Sequence, residues 1–136
     1  MESTRELEQQ IREAPSPAVL SSGAFSLPPL PEYLGSLLRE RGMTMGDVVL
    51  RCKLDRSYAY QLFNGTRRPT RQFLLQFSLA LGLEEAQVQR LLQIAGRAPL
   101  YARDRRDAVL LYALSHRQTA EEADRLLREQ GLEGLL

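Results

Sequence analysis

Residues 37–83 read LLRERGMTMGDVVLRCKLDRSYAYQLFNGTRRPTRQFLLQFSLALGL, and the order of starts and stops within them decides the fold. Apolar stretches of helical period each end on a glycine: Gly42, Gly65 and Gly82 here, Gly96 and Gly131 further on. A glycine in that place ends a helix because it enters the left-handed conformation without a Cβ clash. The starts are as regular. Thr44 with Asp47 three residues later is a capping box with Asp in place of Glu, Asp55 precedes the next run, and Pro69-Thr70 the one after. The spacing therefore predicts a helix over 32–41 with Leu34, Leu37 and Leu38 on one face, then a short helix from Thr44 that turns Val48, Val49 and Cys52 inward. A third, capped by Asp55, buries Ala59, Leu62 and Phe63. A fourth carries Phe73, Leu74, Phe77 and Leu81 as one stripe, and a fifth begins at Leu83-Glu84 with Val88, Leu91, Leu92 and Ala95. No segment has the period of a strand, so the expected fold class is all-α.

Outward from this stretch, residues 104–115 carry Val109, Leu110, Tyr112, Ala113 and Leu114, apolar around much of the circumference, which calls for burial on more than one side. Thr119 and Glu122 form a capping box for a last helix with Ala123, Leu126 and Leu127 inward. In the other direction, residues 3–14 suit a short helix with only Leu7 and Ile11 as an apolar stripe, broken by Pro15-Ser16-Pro17. The chain from there to Pro31 is rich in proline and small residues, and reads either as an extended linker or as an ordered strap across the domain. The expected organisation is a tail with a Pro-rich linker over 1–30, a five-helix unit over 31–97, and a two-helix C-terminal extension over 98–136.

The 136 residues hold 18 Lys+Arg against 17 Asp+Glu, a net +1 that advertises neither a nucleic-acid binder nor a membrane-surface protein. Divided by segment the balance changes: −2 over 1–30, +4 over 31–81 and −1 over 82–136, with no acidic residue from 56 to 83. Cys52 is the sole cysteine and His116 the sole histidine, which leaves no internal disulfide and no Cys/His metal cluster to expect. Cys52 has the spacing of a core residue, and His116 stands where a helix C-terminus favours it. In Asp104-Arg105-Arg106-Asp107 the two carboxylates fit the first turn of a helix, where they cap it and offset its dipole, and the arginines are placed to bridge to another helix. There is no nucleophile–base motif and no phosphate-cradling glycine loop, so neither an enzyme nor a cofactor is expected. No apolar run approaches the roughly 20 residues of a membrane span, and the acidic N-terminus does not suit a leader peptide, which points to the cytoplasm.

The two helices joined by a tight turn at Lys53-Leu54 have the layout of a helix-turn-helix. Here the sequence resembles the lambda-repressor-like, XRE-type helix-turn-helix family. The likeness runs without a gap over residues 37–83, about a third of the chain, and is carried by Leu-Arg-Glu-Arg-Gly at 38–42, the Thr44 cap, Asn64-Gly65 followed by a basic pair and Pro69, and Leu-Ala-Leu-Gly-Leu at 79–83. The resemblance implies a transcriptional regulator, such as a repressor, that reads double-stranded DNA in the major groove, bacterial or phage-encoded and associated with the nucleoid. It implies base contacts from Arg56, Ser57, Tyr60 and Gln61; Arg suits guanine and Gln suits adenine. It implies phosphate contacts from Thr44, Lys53, Tyr58, Asn64, Thr66, Arg67, Arg68 and Arg71. It further implies a homodimer on a pseudo-palindromic site, with about eight phosphates neutralised and a log–log salt slope of roughly −7.

Three positions depart from the family pattern: Met45 where a phosphate-binding Gln is usual, Lys53 at the turn position usually held by Gly, and Val49 where a smaller Ala lets the two helices approach. For the extension two readings stand, a dimer contact or a cap on the five-helix core. A second function from a different class also stands: a protein-interaction module on the same fold, to which Met45, Tyr58 and Tyr60 would suit a protein-facing surface, with the N-terminal tail or the C-terminal helices as further partner contacts.

Overall fold

A computed structural model describes residues 4–17 and 27–136. The centre of the expected linker or strap, residues 18–26, lies outside the described residues, as do residues 1–3. Among the described residues there are eight helices and no strand: α1 (Thr4–Glu13), α2 (Leu30–Glu40), α3 (Met45–Cys52), α4 (Arg56–Asn64), α5 (Arg71–Leu81), α6 (Glu85–Ile94), α7 (Arg105–Ser115) and α8 (Ala120–Glu129). The all-α expectation holds. None of these helices is long and apolar enough to cross a membrane.

Local chemistry sets nearly every boundary. Thr44 caps α3 in a reciprocal box with Asp47, Asp55 accepts from the Tyr58 N–H at the start of α4, Thr70 accepts from the Phe73 N–H at the start of α5, and Thr119 forms a box with Glu122 at α8. Gly42, Gly65, Gly82, Gly96 and Gly131 all have positive φ. At Gly42 the backbone N–H of Met43 donates to the Leu38 carbonyl at 3.0 Å and that of Gly42 to Arg39 at 3.2 Å, the paired bonds of a Schellman ending. One boundary differs from the sequence expectation. α2 starts at Leu30 rather than near residue 32, with Pro29 as its cap and Pro31 inside its first turn, because a residue without an N–H and with φ already near −65° fits that turn at no cost. After α7 the left-handed residue is Arg117, with φ of 54°, and no glycine marks it.

The buried side chains of α2 through α8 form one continuous core, which runs from Leu34 and Leu37 through Phe77, Leu91 and Leu92 to Leu110, Leu127 and Leu135. Its axis is α5. All nine residues of that helix from Phe73 to Leu81 are buried, with α3, α6, α7 and α8 packed around it. The apolar surround of α7 is explained the same way, since it is covered by α5, α6 and α8. Residues 98–136 therefore share the core of residues 31–97. α1 buries no residue; within it Arg12 pairs with Glu8 and Gln9 donates to Glu13, and the Thr4 hydroxyl accepts from Gln93 of α6 at 3.5 Å.

Candidate nucleic-acid interface

α4 is two-faced. Ala59 and Leu62 are fully buried against the core, which turns Arg56, Ser57 and Tyr60 outward, Tyr60 with 61% of its surface exposed, and leaves Gln61 half-buried at the edge. These are the four side chains expected to touch bases, and helical spacing brings them to one face. Lys53 is exposed in the preceding turn. Its φ of 53° and ψ of 48° place it in the left-handed region, the conformation anticipated from its standing where glycine is usual. The turn is closed by the Leu54 N–H donating to the Val49 carbonyl at 3.0 Å.

The residues expected on phosphates divide into two groups. Asn64 accepts the Thr66 N–H on its side-chain oxygen at 2.8 Å, which folds the loop after α4 and leaves its amide donors outward. Arg67 is exposed, with its guanidinium carbon 5.3 Å above the centre of the half-buried Tyr58 ring. These side chains, with Lys53 and Thr66, border the α4 face.

The other three have work within the fold. The Thr44 hydroxyl and backbone N–H are both bound to the Asp47 carboxylate, at 3.1 and 2.8 Å. Hydrogen bonds from the Thr44 backbone and hydroxyl hold that carboxylate below the usual range, so a negative charge occupies the start of α3. Arg68 donates to the carbonyls of Ala95 and Gly96, at 3.1 and 3.2 Å, at the C-terminal end of α6. Arg71 is turned inward: Nη1 and Nη2 form a forked pair with the Asp107 carboxylate at 3.0 and 2.9 Å, while Nε donates to Ala98 and Nη2 also to Pro99. Four of its five N–H donors are spent, which is the physical reason it does not reach outward as expected.

That pair is the main feature the sequence reading missed. Asp107 is 5% exposed. Burial pushes its pKa up, but the hydrogen bonds from Arg71 and from the Tyr101 N–H, with the charges of Arg71 and Arg106, outweigh burial and lower it. Arg97 ties the same two loops from the other side by donating to the Pro69 carbonyl at 2.7 Å. Arg105 and Arg106 do bridge, but to the segment after α8, through the carbonyls of Gln130, Glu133 and Gly134. The sequence reading also passed over Leu50, 78% exposed on α3.

The remaining chemically capable groups are structural in their surroundings. Cys52 is buried and its thiol pushed up to about 11 by burial, which the charge of Arg51 only partly offsets. His116 stacks on Tyr112 with ring centres 3.9 Å apart. Among the described residues no three His, Cys, Asp or Glu side chains are grouped to hold a metal ion. A groove of about 700 Å³ along α6, lined by Tyr33, Arg90 and Gln93 among others, shares no residue with the α4 face. Compared with known proteins, the chain matches no family model, no curated protein and no solved structure.

Proposed function

We propose that the protein is a sequence-specific double-stranded DNA-binding regulator of transcription, of the lambda-repressor-like helix-turn-helix kind, with α3 and α4 as its helix-turn-helix and α4 in the major groove. Arg56, Ser57, Tyr60 and Gln61 are assigned to base edges, and Lys53, Asn64, Thr66 and Arg67 to phosphates. The observation that carries this is the α4 face: an arginine, a serine and a tyrosine exposed together, with a half-buried glutamine at their edge, on a helix whose other face is anchored in the core, bordered by Lys53 and Arg67 with no carboxylate from residue 56 to 83. Arg71 is left out of the phosphate set, and Arg68 and Thr44 serve the fold first.

With Lys53, Arg56 and Arg67 as the uncommitted cations of the α4 face, about three phosphates per copy are neutralised there. Two copies on half-sites one helical turn apart would then give a salt slope of roughly −5. Because α7 and α8 complete the core, the proposed dimer contact falls on exposed side chains such as Tyr112 rather than on their apolar interior. The proposed setting is the bacterial or phage nucleoid, with no catalytic group and no cofactor assigned.

The test is selection of bound sequences from random duplex DNA, repeated with Arg56→Ala plus Gln61→Ala. The wild type is expected to enrich one motif, and the double variant to lose it while retaining weak, sequence-independent binding. One observation favours a second reading: Leu50 and Tyr60, 78% and 61% exposed on the adjoining helices α3 and α4, would suit a protein-facing surface. Failure of the wild type to enrich any motif at moderate salt would put that protein-interaction module first.

A further inference from the structure

We propose that the DNA-facing surface continues past the helix-turn-helix onto the turn at 101–104, where Tyr101 and Arg103 grip a phosphate beyond the one held by Arg67. This rests on the DNA-binding reading above and extends it to a part of the chain with no counterpart in the residues that carry the family resemblance.

The starting observation is how firmly that turn is fixed to the phosphate-side loop. The loop after α4 leads directly into Arg71, whose guanidinium shares the Asp107 carboxylate with the backbone N–H of Tyr101, at 2.9 Å and 3.0 Å from the same oxygen. Two groups on one carboxylate oxygen lie within about 6 Å of each other at hydrogen-bond distances. Arg97 closes the seam by holding the Pro69 carbonyl, and Arg68 by holding the end of α6. The turn itself is set by the Asp104 N–H donating to the Tyr101 carbonyl at 3.0 Å. Tyr101 and Arg103 thus stand on a rigid platform beside the start of α5.

The second observation is which side chains of this segment are uncommitted. Arg97, Arg105 and Arg106 are all spent on backbone carbonyls. Arg103 is exposed and makes no ion pair or hydrogen bond among the described residues, and Tyr101 is 59% exposed. A guanidinium offering a fork of donors, beside a phenol, is the chemistry of phosphate contact. Arg103 lies four residues from Pro99, so its Cα is at most about 15 Å from a residue bonded to Arg71.

The experiment compares Arg103→Ala with Arg67→Ala and with Arg125→Ala, which removes an exposed charge from the middle of α8. Binding of the full chain to a duplex carrying the selected motif, and to a scrambled duplex, is measured over a range of salt, with hydroxyl-radical footprints of each complex. Arg103→Ala is expected to weaken both duplexes alike by about 3- to 10-fold, to flatten the salt slope by about 1 per copy, and to lose protection only at the outer edge of the footprint. Arg125→Ala should change none of these. Loss of slope in Arg67→Ala but not in Arg103→Ala overturns the extended surface and leaves DNA binding standing. Absence of binding by the wild type to either duplex overturns both. A shift in preferred sequence in Arg103→Ala would also overturn the role, since phosphate contacts position without specifying.

Discussion

Two regions of the molecule use the same residue type in opposite ways. On the α4 face, the side chains of Lys53, Arg56 and Arg67 hold no carbonyl or carboxylate among the described residues. In the seam joining the loop after α4 to the end of α6 and the start of α7, and in its continuation to the segment after α8, Arg68, Arg71, Arg97, Arg105 and Arg106 are all bonded to backbone carbonyls or to Asp107. The lesson is that a net charge does not measure a binding surface. The +4 of residues 31–81 includes Arg68 and Arg71, which hold the protein together, while Arg103, in the mildly acidic C-terminal part, is unspent. Arginine suits both uses because its planar fork of donors serves two carbonyls or a carboxylate as well as it serves a phosphate.

The sharpest way to break this division is at Asp107. Replacing it with Ala leaves the Arg71 guanidinium beside carbonyls without its counter-charge and strips the Tyr101 N–H of its acceptor, and removal of one member of a buried pair is strongly destabilising. With the Arg71 side chain still 29% exposed, a loss of about 3 kcal/mol is expected, read as a lower denaturant midpoint at unchanged slope. The pH dependence follows from the same carboxylate. Its pKa is lower folded than unfolded, so its contribution is present above the unfolded value of about 4 and is lost as the pH falls through the folded one. Asp107→Asn should therefore flatten the acid limb of the stability profile. If Asp107→Ala is as stable as the wild type, the seam does not hold the loops and Arg71 is returned to the phosphate set.

The seam continues to the C-terminal residues. Asp124 accepts the backbone N–H of Leu135 and of Leu136, Gln72 and Gln76 both donate to the Leu135 carbonyl, and the Leu135 side chain is buried in the core. A Cβ added at Gly134 would overlap Asp124 Oδ1 and the Arg128 guanidinium. Arg128 is exposed and moves aside, but Asp124 cannot do so without giving up both backbone N–H groups. Gly134→Ala is expected to cost about 1–2 kcal/mol by thermal or chemical denaturation. Fluorescent reporters on the α4 face should be unmoved by it until the cooperative transition, because seam and face share one core.

On the α4 face the expected sign reverses. Lys53 stands in the left-handed region, which costs a residue with a Cβ about 1–2 kcal/mol, while glycine brings about 0.5–1 kcal/mol of extra chain entropy to the unfolded state. Lys53→Gly should therefore gain roughly 0.5–1 kcal/mol of stability and lose one phosphate contact, weakening all duplexes alike. A variant at once more stable and a weaker binder would show that the strain is kept for contact. A variant that is less stable would mean Lys53 has a partner in the fold and belongs with the seam.

Most of the helical framework could be read from local chemistry, because caps act over three residues and a left-handed stop over one. Thr44, Asp55, Thr70 and Thr119 each cap where their spacing says. Arg117 escaped because the bonds at this ending, its own N–H to the Leu114 carbonyl and the Gln118 N–H to that of Ala113, are made by backbone and no glycine marks them in the sequence. The candidate site divided on the same line. The outward set of α4 follows from periodicity within nine residues, whereas the fate of Arg71 depends on Asp107, 36 residues away, and that of Arg97 on Pro69, 28 away. An arginine about to be spent looks the same in sequence as one left free. Asp107 read as a helix-dipole partner for the same reason: its place in the first turn of α7 is real, but its main partners come from α5 and the chain before α7.

The smallest expected effect lies where the two regions meet. The Arg67 guanidinium holds no acceptor yet is not unordered, since it lies over Tyr58, whose ring is half-buried against the core. Such an exposed cation–π contact is worth about 0.5–1 kcal/mol and restricts where the guanidinium can lie. If Tyr58 serves to aim Arg67, Tyr58→Phe should bind duplex like the wild type and Tyr58→Ala about 2- to 5-fold more weakly, with no further loss when Arg67→Ala is already present. The ring also leaves a signature without DNA, an upfield shift of the Arg67 Hδ protons that Tyr58→Ala abolishes. Additive losses in the double variant would make Tyr58 and Arg67 independent contacts. A Tyr58→Phe variant as weak as Tyr58→Ala would give the role to the phenol hydroxyl, and Tyr58 would then touch phosphate itself as the sequence first implied.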